Sequence, residues 1–182
     1  MDSPKLTVTK LDAARRQLGV AIRLWFADDD PVAIHTLAAA AHEIVHTLFR
    51  LRGFHGLMFD SKLVKNEYRS DWAKLIKRPA SFFKHAQRDP DSEFEFDPRA
   101  NWALLLAAAH GVSRMGYEPR MEELALAYWF RIHQPDWFPE TPSGNGAPVD
   151  PFEKVRTVKK GEFLEGFEFC WRRGDFSASS VK

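Results

Sequence analysis

The amino-acid sequence predicts an all-α protein, a single bundle-like domain of five or six helices. Three observations carry this. Apolar residues recur at spacings of three and four through several segments, the period of a helix with one buried face. Asp-Pro pairs at 30–31 and 97–98 each precede an apolar run, an N-cap followed by proline at the first helical position, and Gly53 and Gly116 close those runs. A chain of 182 residues, 45% hydrophobic with six Trp, has the material for one large core. The domain is expected to span 1–182, with 1–8 and 175–182 frayed.

The first helix is expected from Leu6 or Thr9 to Ala27, burying Leu11, Leu18, Ile22 and Trp25, with Lys10, Arg15, Arg16 and Arg23 on its wet side. The second starts at Pro31 behind Asp30 and runs to Gly53. Its expected seam is Ile34, Leu37, Ala41, Ile44, Leu48 and Leu51, with His35, His42 and His46 in a narrow stripe beside it and Glu43 at the border with solvent. Residues 61 to 77 form a basic, aromatic helix that breaks at Pro79 and resumes as a short helix over 81–87. Five carboxylates follow in DPDSEFEFDP, where Phe94 and Phe96 alternate as in a short extended piece. The run 98–115 is apolar nearly all round and should be central. Its LLAAAH echoes the LAAAAH of the second helix, and the short Ala side chains would let two adjacent helices approach closely enough to bring His42 near His110. Pro119 opens a helix to His133, residues 134–151 read as a long Pro/Gly-rich loop, and the last element fits a helix by Phe163, Phe167 and Trp171 or a strand by Phe163, Phe167 and Phe169, the helix being favoured.

The chemistry-bearing motif is His42-Glu43-Ile44-Val45-His46. Imidazoles at i and i+4 stand one above the other on a helix and can hold one metal ion, leaving Glu43 as general base toward a metal-bound water. Zinc or iron is the cofactor this would imply, with His35, His110 or His85 supplying a third ligand. The metzincin pattern is excluded, because Phe49 and Arg52 stand where it requires Gly and a third His. No downstream helix offers the second Glu of a gluzincin. Glu43-x-x-His46 is half of the di-iron carboxylate motif of four-helix bundles, and the chain has no second copy. The His42 and His46 pair also resembles half of the pattern in three-histidine bundles of the bacillithiol-transferase sort, but the His on an earlier helix is absent. That likeness concerns architecture alone.

A second reading engages nucleic acid. Lys74, Lys77, Arg78, Lys84 and Arg88, interleaved with Trp72 and Phe82, would neutralise phosphates and stack bases. The competing expectation, which is favoured, is that the acidic run 89–97 folds back on this segment or that its charges solvate a helix face. Arg50 to His55 and Arg78 to His85 fit the loose Arg-to-His spacing of HEPN ribonucleases, but Pro79 follows Arg78 where a polar residue belongs, and no role is carried over.

The favoured reading is a non-catalytic interaction or binding module. No glycine-rich phosphate loop, nucleophile elbow or cysteine pair is present. A protein partner or a second copy fits an aromatic patch of Trp129, Phe130, Trp137 and Phe138, which would otherwise anchor the long loop. The formal charge of +1 gives no global reason for a nucleic-acid or membrane partner. Cys170 is the only cysteine, expected as a packing residue in a reducing compartment. No signal-type h-region or uninterrupted apolar stretch of membrane-spanning length stands out, so the expected location is the cytoplasm.

Overall fold

The computed structural model describes residues 5–57, 65–87, 89–137 and 154–175, and of 72, 73 and 75 the backbone only. The described residues form six α-helices and no strand: α1 (Lys10–Phe26), α2 (Pro31–Leu51), α3 (Asn66–Phe82), α4 (Asn101–Arg114), α5 (Met121–His133) and α6 (Lys160–Arg173), with short 3-10 turns at Pro98–Ala100, Pro135–Trp137 and Val155–Thr157. The all-α expectation holds. Most of the loop expected at 134–151, with Phe138, and Arg88 of the basic segment lie outside the described residues.

Local chemistry sets the helix ends. Thr9 caps α1 reciprocally: its Oγ1 accepts from the Asp12 N–H at 3.1 Å while the Asp12 carboxylate accepts from the Thr9 N–H at 3.3 Å. Asp30 caps α2 through the Ala33 N–H at 2.7 Å, one residue ahead of Pro31. Gly53, Gly116 and Gly174 take positive φ just beyond α2, α4 and α6, a backbone form that costs glycine little.

Helix α2 is the centre of the molecule, packed on α1, α4 and α3. Three neighbours demand a wide buried arc. The expected seam is therefore corrected: the deepest residues are Ile34, His35, Ala38, Ala41, His42, Val45 and Phe49, whereas Leu51 is 79% exposed. The histidine stripe sits within the core face. By length and composition, with a mean hydropathy of 1.2 over 18 residues, α2 would also suffice to cross a membrane, a test that a bundle's core helix passes equally. Helices α2 and α4 are adjacent, with Ala38, Ala41 and Ala108 fully buried in the core they share, and Gly111 stands at a point of especially close approach. A Cβ on Gly111 would stand 2.6 Å from Val45 Cγ1.

Two further expectations are corrected. Helix α3 runs through Pro79 to Phe82, and no separate helix follows over 81–87. The proline removes only the bond from its own missing N–H, and the Phe83 N–H closes the last turn on the Pro79 carbonyl at 2.9 Å. Arg15 is not on a wet face. Its guanidinium makes a two-pronged pair with the buried Glu123 of α5, at 2.9 and 2.8 Å, and reaches the Glu118 carbonyl at 2.8 Å.

Two apolar clusters fill the bundle. One surrounds Leu18, Ile22, Phe26, Leu104, Leu105 and Leu126, and the other joins Ala14, Val45, Phe49, Leu57 and Val112. Trp129 and Phe130 belong to the first, and the half-exposed Trp137 packs on Trp102 at 4.8 Å between ring centroids. The aromatic patch thus anchors the start of the 134–151 segment to the core.

Candidate functional site

Between α2 and α3 lies an open cleft of about 460 Å³. On α2 its wall is built from residues that recur every three or four positions: Ala39, His42, Glu43, His46, Thr47 and Arg50. The opposite wall is Ile76, Lys77, Ala80 and Ser81 of α3, continued by Lys84 and His85, with Leu104 of α4 behind. Both walls follow from amphipathic spacing. On α2 the polar edge of the core face opens toward α3, because α3 meets α2 over a shorter contact than α1 or α4 does.

His35 fixes one end of this arrangement. Its ring is fully buried, with Nδ1 2.8 Å from Asn101 Oδ1 and Nε2 3.3 Å from the Ile76 carbonyl. The Asn101 amide nitrogen donates to the Pro31 carbonyl at 3.0 Å, so its oxygen faces the imidazole; both ring nitrogens thus stand against carbonyl oxygens, and the neutral ring donates its one N–H to one of the two. Phe83 and Phe96 meet the same ring edge to face, at 5.9 and 5.1 Å. The imidazole therefore ties α2 to α3 and α4 from inside the core, and burial holds its pKa below the ordinary value. It does not line the cleft.

His42 and His46 do line it, with rings 5.8 Å apart and 19° from parallel. His42 is 3% exposed, and desolvation first, then His46 and the Lys77 ammonium, lower its pKa to about 4. At neutral pH it is an uncharged imidazole. Around it the described lining holds three permanent cations, Arg50, Lys77 and Lys84, and a single carboxylate, Glu43.

The sequence motif therefore meets the basic segment. Lys77 and Lys84, proposed on separate grounds from the histidine pair, stand across the cleft from it. Lys74 lies elsewhere, paired with Asp71 at 3.3 Å, and Arg78 lies over the Phe94 ring at 5.3 Å. His110, expected in the middle of a buried helix, is exposed on α4 and outside the cleft. His85 lines it, but among the described residues no group of three or more His, Cys, Asp or Glu is placed to hold a metal ion. Sequence reasoning missed Thr47 and Ser81. The signal was present in their spacing, one turn on from Glu43 and from Lys77.

The cleft has two extensions. Past His46, Thr47 and Arg50 it continues to Leu51 and His55. In the other direction Ser81 and His85 are shared with a second compartment of about 250 Å³, bounded by Arg78, Phe82, Asp89, Ser92, Glu93 and Phe94. Phe94 stacks on Phe82 with ring centroids 5.1 Å apart, so the acidic run does return to the end of α3. Comparison with protein-family models, with curated proteins and with solved structures gives no match for this chain.

Proposed function

We propose that this chain is a helical binding module that holds an anionic, phosphate-bearing ligand in the cleft between α2 and α3. One observation carries the reading: Arg50, Lys77 and Lys84 converge with three imidazoles on a cleft whose described lining has Glu43 as its one carboxylate. Ammonium and guanidinium groups converging on one open cleft attract an oxyanion and repel a divalent cation. Ser81 adds a hydroxyl donor suited to phosphate oxygens, while the Thr47 hydroxyl donates to the Glu43 carbonyl at 2.9 Å.

The same charge pattern argues against the zinc or iron reading. A dication between His42 and His46 would share the cleft with the Lys77 ammonium, whose positive charge is the least of the three causes that lower the His42 pKa. A general-base role for Glu43 toward a metal-bound water would require a third ligand; His35 and His110 do not line the cleft, and His85, which does, forms no metal-holding group of three with the pair among the described residues.

Calorimetric titration with inorganic phosphate, pyrophosphate and zinc chloride tests this. Phosphate or pyrophosphate is expected to bind, weakening as salt is raised, and to be lost in the Lys77→Glu, Lys84→Glu double variant. Both side chains are exposed, so that variant should keep its helical circular dichroism. Stoichiometric zinc that disappears in His42→Ala, His46→Ala, with no binding of phosphate or pyrophosphate, would overturn the proposal in favour of a metal centre.

A further inference from the structure

The second compartment specifies more of the ligand, and the inference drawn from it rests on the anion-cleft reading. We infer that the ligand is a nucleoside monophosphate with an amino-bearing base, its phosphate between His46, Lys77 and Lys84 and its base against Asp89 and Glu93.

The two compartments share Ser81 and His85 in their linings and therefore adjoin, so a ligand extending past those two side chains would meet both. Their sizes, about 460 and 250 Å³, place the pair within the range of small-molecule sites. Their chemistry differs. The first is mainly cationic, with Arg50, Lys77 and Lys84 against Glu43, whereas the second sets the Asp89 and Glu93 carboxylates, which are acceptors only, beside Arg78 and His85. Among the described residues neither carboxylate is in an ion pair, while the Ser92 hydroxyl donates to the Asp89 carbonyl at 2.9 Å. A ligand filling both must therefore be anionic at one end and hydrogen-bond-donating at the other.

A nucleobase with an exocyclic amino group meets that demand, since guanine, adenine and cytosine each present N–H donors of the kind Asp and Glu accept. Guanine fits best, because its ring N–H and amino group lie side by side and can meet one carboxylate with two parallel bonds. Uracil fits worst, since its one ring N–H is flanked by carbonyl oxygens that would face the carboxylates. The Arg78 guanidinium, lying over Phe94, presents a planar cation at the same compartment on which a base can stack.

Titration of the full chain with inorganic phosphate, guanosine monophosphate and uridine monophosphate reads this directly. Guanosine monophosphate should bind at least about tenfold tighter than phosphate or uridine monophosphate, as one paired base edge implies. The Asp89→Asn, Glu93→Gln double variant should bring it down to the affinity of phosphate while leaving phosphate itself unchanged. Both residues are exposed, so the substitutions spare the core. Phosphate binding without any gain from the guanine base, or a gain that survives the double variant, overturns this inference and leaves the anion cleft standing. Failure of phosphate and of both nucleotides overturns the two together.

Discussion

Burying His42 beside a second imidazole and a lysine makes proton uptake at that ring costly, and the cost is a property of the fold. An unfolded chain binds the proton with a pKa near 6.5, whereas the folded one does so only near 4. Between those values the unfolded state holds more protons, so stability is complete above pH 6.5 and declines as pH falls toward 4. The slope is at most about 1.4 kcal/mol per pH unit, roughly 3 kcal/mol over the interval. Urea denaturation at pH 7 and pH 4.5 should show this loss in the wild type and a smaller one in His42→Leu, whose side chain suits a 3% exposed site but does not titrate. An equal loss in both would place the acid sensitivity elsewhere. The residue was legible in the sequence as half of a spaced histidine pair. Its depth was not, because the rotation of α2 about its axis depends on how many helices surround it.

At the scale of elements, two contacts decide how the helices lock together. Glu123 is 4% exposed and answers the Arg15 guanidinium of α1 while accepting from the Arg120 N–H at 2.9 Å. Replacing it with Leu leaves the Arg15 charge, whose side chain is 10% exposed, without its partner. The expected loss is about 3–5 kcal/mol by chemical denaturation, far beyond that of an exposed pair such as Lys74 with Asp71. Glycines within helices give a contrast of sign. Gly111→Ala on α4 puts a methyl 2.6 Å from Val45 and 3.2 Å from Leu57, so overpacking of about 1–3 kcal/mol outweighs the gain in helix propensity. Gly166→Ala on α6 meets nothing within 4 Å and should raise stability by up to about 1 kcal/mol. A pair of melting curves reads both, and matching signs would contradict the packing described. The capped and periodic α2 was legible from local pattern, whereas the period of α6 fitted helix and strand alike. The path of α3 through Pro79 was not legible, since the lost bond and ring crowding of a proline in the last turn are offset by packing that holds Ile76 in the core, a tertiary effect.

For the whole molecule, what the sequence could not disclose is which surfaces meet. His42 and His46 on one segment, and Lys77 and Lys84 on another, each suggested a function, and the two suggestions looked like rivals. Their meeting in one cleft depends on the tertiary placement of α3 by His35, Asn101 and the phenylalanines around them. None of those contacts follows from local periodicity. The same placement bears on whether the chain unfolds as one unit. Helices α1 and α2 run through both apolar clusters, with Ala14 and Val45 in one and Leu18 and Ile34 in the other. Neither cluster can be opened without stripping the same two helices, so a single cooperative transition is expected. Trp25, Trp102, Trp129 and Trp171 all pack on the larger cluster, so tryptophan fluorescence reports mainly there while far-ultraviolet circular dichroism reports every helix. The two signals should give the same denaturation midpoint. A dichroism change preceding the fluorescence change would mean that the cluster around Phe49 and Leu57 opens first, and that the shared helices do not couple the two halves.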